Sequence, residues 1–64
     1  MKLKEMREKK NMTQEDLANA VGVTQGAISQ WENGFSKPGF DNIKKLAAAL
    51  ECTLDELMAG TESE

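Results

Sequence analysis

TQEDLANAVGVTQGAISQWENG, residues 13–34, contains two helices and the join between them. Thr13 stands three residues before Asp16, close to the capping-box pattern in which the two side chains satisfy each other's backbone N–H groups. Leu17, Ala18 and Val21 then form an apolar stripe at helical spacing. Gly22 ends that helix, since glycine adopts the left-handed backbone that closes a helix without a Cβ clash. Thr24 offers the next N-cap. Only Val21, Gly22 and Val23 separate the two helices, which makes the join a tight turn and not a linker. The second of the two runs from Thr24 to Asn33, with Asn33-Gly34 as its stop.

Outward from this pair the chain continues in helices. Leu3, Met6, Arg7 and Lys10 recur at i, i+3, i+4 and i+7. Leu3 and Met6 face a core, and Lys2, Lys4, Lys9 and Lys10 stay in or near solvent; Asn11 breaks the pattern. After residue 34 comes a loop, FSKPG (35–39), where Pro38 pushes Lys37 out of helical geometry. A fourth helix, Phe40 to Leu50, carries Phe40, Ile43, Leu46, Ala47 and Leu50 at helical spacing. Thr53 to Glu56 is a full capping box opening a short fifth helix with Leu57 and Met58, closed by Gly60. The reading is all-α: one five-helix domain over residues 1–60 and a frayed acidic tail, 61–64. Trp31 belongs to its core, Cys52 is a small buried apolar residue, and Met6, Met12 and Met58 fill gaps.

Composition narrows the function. A chain of 64 residues buries only about 60% of its unfolded surface and has no room for a large substrate cavity. Tyr and His are absent, and Cys52 is the lone cysteine. No intramolecular disulfide can form, and a zinc site of the usual nitrogen and sulfur ligands is excluded. With no histidine, no phosphate loop and no nucleophile beside a base, an enzyme has almost no support, and no cofactor or metal is expected. No apolar run approaches the ~20 residues that span a bilayer. The charged start, MKLKEMREKK, lacks the apolar stretch of a signal peptide. No membrane association is expected, and the cytosol is the default compartment.

The net charge of −3 is unevenly spread. Residues 1–50 hold all eight basic and six acidic side chains, a net +2; residues 51–64 hold five acids and no base, −5. The acidity therefore sits at the C-terminal end, and charge alone fits a plain solvated surface with an acidic tail equally well.

On a helical wheel of residues 24–33, Thr24, Ala27, Ile28 and Trp31 share one side. Gly26, Ser29, Gln30 and Asn33 share the other, with Gln25 at the tip. An ordinary surface helix more often shows Glu and Lys there. Uncharged amides are suited instead to reading DNA, because Gln and Asn bond bidentately to adenine N6 and N7 in the major groove. Two helices joined by a short glycine-containing turn form the helix-turn-helix arrangement. Small Ala18 lets the helices approach, and Val23, Ile28 and Trp31 fix the second one to the body.

From Leu3 to Met58 the sequence resembles the phage repressor and Cro-like helix-turn-helix domains of the XRE family of transcriptional regulators. The matching stretches are TQEDLANAVGVTQGAISQWENG, then KP, then FDNIKKLAAALECTLDEL. The resemblance implies a lambda-repressor-like five-helix domain whose third helix enters the major groove of double-stranded DNA. It also implies homodimers, at least on DNA, on palindromic operators with half-sites about 34 Å apart. By position, Gln25, Gly26 and Gln30 fall where those domains read bases, and Thr24 lies close enough to touch a base or phosphate. Gln14 matches a phosphate-contacting glutamine; Asn33, Ser36 and Lys37 match a loop that grips the backbone; Arg7 and Glu32 match a structural ion pair. Two departures stand out. Gly26 replaces the long side chain of many relatives, which narrows base reading to Gln25 and Gln30. Gly39 replaces a frequent Ser or Thr cap.

The expected function is sequence-specific DNA binding in transcription regulation, with repression as its direction and a shallow salt dependence because positive charge is modest. The rival is a protein-interaction module on the same fold, an antitoxin-like or coactivator-like adaptor using the end around Leu54, Leu57 and Met58.

Overall fold

The computed structural model describes residues 1–58; Gly60 and the tail 61–64 lie outside the described residues. Five helices follow in order: α1 Leu3–Lys9, α2 Gln14–Val21, α3 Gln25–Glu32, α4 Phe40–Ala49 and α5 Leu54–Leu57. No strand occurs among the described residues.

The helix ends follow from their caps. The Asp16 N–H donates to Thr13 Oγ1 at 2.9 Å and the Thr13 N–H to Asp16 Oδ2 at 3.0 Å, a complete capping box. Thr53 and Glu56 repeat it at α5, at 3.0 and 2.9 Å. α2 ends on Gly22 at φ 77°, ψ 32°. There the N–H groups of Gly22 and Val23 both donate to the Ala18 carbonyl, at 2.8 and 3.0 Å. Thr24 restarts the chain at once, its Oγ1 accepting from the Ala27 N–H at 3.1 Å. At α4 the cap is Gly39, which has no side-chain oxygen to offer.

Each helix contributes to one core of Leu3, Leu17, Ala18, Val21, Ile28, Leu46, Ala47, Leu50 and Leu57. Leu3, Leu17, Ile28, Leu46 and Leu57 are sealed from solvent, and each stabilises the fold by roughly 1.5–3 kcal/mol. α2 lies at the centre, packed on α3 and α4, while α1 touches α3 and α5 rests on α4. The Lys2 N–H donates to the Leu57 carbonyl at 2.8 Å, so the fifth helix closes against the start of the first.

Three expectations are corrected. Phe40, grouped by its spacing with the apolar residues of the fourth helix, is 67% exposed. It is the first residue of α4, and the ammonium of Lys44, one turn on, lies 5.1 Å from its ring centre. Trp31 and Cys52 are half-buried, packed against the core but not inside it. Burial still pushes the Cys52 thiol pKa upward, with Glu56 adding to it, so the thiol is not an activated one. Two non-glycine residues, Asn11 (φ 57°) and Glu51 (φ 56°), take the left-handed backbone just past α1 and α4. Glu51 also pairs with Lys10, which joins those two helix ends.

Candidate nucleic-acid interface

α3 buries Ile28 and half-buries Ala27 and Trp31. Those side chains hold it to the body, so the opposite side faces solvent. Gln25, Gly26, Gln30 and Asn33 are exposed there, with Ser29 half-buried between them, and Thr24, the N-cap, is exposed at the tip of the helix. From Thr24 to Gln30 this side carries no charge. Next to it, Ser36 and Lys37 are exposed on the 33–39 loop, and Gln14 is half-buried at the start of α2.

Beneath the face lies an ion pair. Arg7 Nε donates to Glu32 Oε2 at 2.7 Å and Nη2 to Glu32 Oε1 at 3.4 Å. Arg7 Nη1 donates to the Met12 carbonyl at 2.6 Å. The Glu32 side chain is only 2% exposed and that of Arg7 11%. The hydrogen bond to Glu32 raises the guanidinium pKa further above its ordinary value, against the opposing effect of burial. No buried side-chain nitrogen or oxygen among the described residues lacks a partner, which is what a charged pair in this position requires.

The network extends to the surface. Gln14 Nε2 donates to Glu32 Oε1 at 3.0 Å. Gln25 Nε2 in turn donates to Gln14 Oε1 at 3.4 Å, a long bond. The structure thus brings Arg7, Glu32, Gln14 and Gln25 into one connected set. At the other end of α3 the links stay at the surface: Asn33 Nδ2 to Ser29 Oγ at 3.4 Å, and Ser36 Oγ to Gln30 Oε1 at 3.5 Å. Lys37 makes no bond to another described residue, and Gly26 places only its backbone at the face. The Ser29–Asn33 link was legible as an i, i+4 pair. The Gln14–Glu32 bond spans 18 residues and has no local signal.

Beside the loop is an open hollow of about 370 Å³, walled by Trp31, Pro38, Ile43 and Met58 with Ser36 and Lys37 at its edge. Among the described residues no group of three or more His, Cys, Asp or Glu could hold a metal ion. No helix of the described residues is long and apolar enough to cross a membrane.

Known proteins share this arrangement. A helix-turn-helix family model matches residues 3–57. The chain is 41% identical over 61 residues to the HTH-type transcriptional activator BcrR of Enterococcus faecalis, covering 95% of this chain and 30% of that one. It is 36% identical over 63 residues to repressor protein C2 of Salmonella phage P22, covering 98% and 29%. It therefore spans less than a third of either relative's length. The crystal structure of the P22 c2 repressor in complex with a synthetic operator superposes with a TM-score of 0.82 at 38% identity, over 86% of this chain and 83% of that one. With a helix-turn-helix model matching residues 3–57 and a superposition at a TM-score of 0.82, the chain belongs to the helix-turn-helix family.

Proposed function

We propose that this chain binds double-stranded DNA sequence-specifically and regulates transcription, with α3 in the major groove. The observation that carries the reading is the exposed, uncharged row of Thr24, Gln25, Gly26 and Gln30 on a helix braced from behind by Ile28. Gln25 and Gln30 read base edges, Gly26 lets the groove come close, and Thr24 touches a base or a phosphate. Gln14, Asn33, Ser36 and Lys37 hold phosphates and set the register. Two copies occupy a palindromic operator, and the chain works in the cytoplasm without a cofactor. Repression is the direction we assign, because it needs only occupancy of a site that polymerase must cross. A relative named as a repressor and a solved neighbour holding an operator support the reading. They also disfavour the adaptor alternative, for which no observation on this chain speaks.

The test is selection of bound duplexes from random sequence, followed by titration of the selected duplex against salt. The reading expects two related half-sites one helical turn apart and affinity that falls gently as salt rises. Failure to enrich any sequence, or binding undiminished in strong salt, overturns it.

A further inference from the structure

We propose that Glu32, which lies too deep to touch DNA, decides which base Gln25 prefers, because it fixes the direction of the amide relay between them. The inference deepens the reading above and rests on it. A carboxylate only accepts hydrogen bonds. Both oxygens of Glu32 are already engaged by Arg7, at 2.7 and 3.4 Å. Gln14 lies 3.0 Å from Oε1 and must point its amide nitrogen at it. Reversed, Gln14 would set its own oxygen against a charged oxygen. That orientation leaves Gln14 Oε1 facing Gln25, so Gln25 must turn its nitrogen inward, as it does at 3.4 Å.

The consequence is at the outer edge. One hydrogen of Gln25 Nε2 is spent on Gln14, and the amide no longer flips freely. What remains is one acceptor, Oε1, and one donor, in a set order. Adenine presents a donor at N6 and an acceptor at N7, which match that pair. Guanine presents two acceptors, O6 and N7, so the fixed Oε1 meets an oxygen. A glutamine with a free amide could turn both hydrogens toward guanine; this one cannot. Glu32 is thus a positioning residue for specificity, and Arg7 holds Glu32 in turn.

The experiment measures Kd for duplexes that differ only in adenine or guanine at the position read by Gln25. That position is identified as the one where Gln25→Ala loses its preference. Glu32→Gln offers Gln14 either an oxygen or a nitrogen and so removes the direction of the relay. The adenine-over-guanine ratio should then fall about tenfold, the scale of one good base contact, with preferences at other positions unchanged. If Glu32→Gln does not fold by circular dichroism, Gln14→Met breaks the relay without touching the Arg7–Glu32 pair. It should weaken all duplexes and still flatten that one ratio. A folded variant of either kind that keeps the wild-type ratio overturns the proposal while leaving DNA recognition intact. A wild-type chain with no base preference anywhere overturns the parent reading, and this one with it.

Discussion

The two ends of α3 are held differently. At the N-terminal end, Gln25 bonds to Gln14, which bonds to a carboxylate that is almost wholly buried and clamped by Arg7. At the C-terminal end, Gln30 and Asn33 meet only Ser36 and Ser29, at 3.5 and 3.4 Å, beside an open hollow. Base edges demand a donor and an acceptor in fixed places, whereas phosphate contacts carry no sequence information and tolerate adjustment. The proposed reading puts one base reader at each end: Gln25 beside the phosphate-holding Gln14 over the ion pair, and Gln30 beside the phosphate-holding Asn33 and Ser36 with surface links alone. The difference teaches that the orientation of an exposed amide can be prescribed from beneath at one turn of a short helix and left to its surface neighbours at another.

The largest way to break this contrast is Arg7→Ala. It leaves Glu32 buried without its partner and should cost about 3 kcal/mol of stability, read by urea unfolding. In a chain this small that is a large share of the total. A loss below about 1 kcal/mol would mean that the pair does not anchor the N-terminal end. Next come Gln25→Ala and Lys37→Ala, measured together on a panel of duplexes. The first should remove about 1–3 kcal/mol of discrimination at one base position. The second should weaken every sequence alike and reduce the salt slope by about one. Identical behaviour of the two variants would erase the division of roles.

Gly26→Ala comes third. A Cβ there meets nothing closer than Thr24 Oγ1 at 3.8 Å, so the folded chain has room for it. Stability should rise by up to about 1 kcal/mol while operator affinity falls, because the added methyl stands between α3 and the groove. Rising stability with unchanged affinity would show that the glycine is not kept for close approach. The smallest effect belongs to the pair at the far side, Lys10 with Glu51. Hydrogen bonding and charge from Lys10 lower the Glu51 pKa below its ordinary value. A depressed carboxylate pKa stabilises the fold above the ordinary carboxylate range, and this is lost as pH falls through the lowered value. Glu51→Gln should therefore lose less than the wild type on acidification, by a small margin given full exposure. Stepwise melts between neutral and acidic pH check the sign, and base preference should not move.

Much of this was legible because local chemistry marks helix ends. Thr13 with Asp16, Thr53 with Glu56, and Gly22 at positive φ are all short-range signals, and they place α2, α5 and the turn before α3. The exposed row on α3 follows from its wheel, since Ile28 and Trp31 fix which side is covered. What escaped was set by distance or by axial position. Periodicity sets Phe40 at the edge of the apolar stripe of α4 but does not say that its ring lies in solvent beside the Lys44 ammonium. Glu51 adopts a left-handed backbone with neither glycine nor asparagine to announce it. The bond from Gln14 to Glu32 joins residues that only packing of α2 on α3 brings together. The base and phosphate roles come from resemblance and from exposure, and no short-range signal marks them in the sequence.

One measurement bears most directly on the claim that α3 reads bases through its amides. In the selected duplex, 7-deazaadenine replaces adenine at the position sensitive to Gln25→Ala, which deletes the N7 acceptor and leaves pairing intact. The account predicts about a tenfold loss of affinity for the wild type and no further loss for Gln25→Ala. Equal losses in both proteins, or none in the wild type, would contradict it.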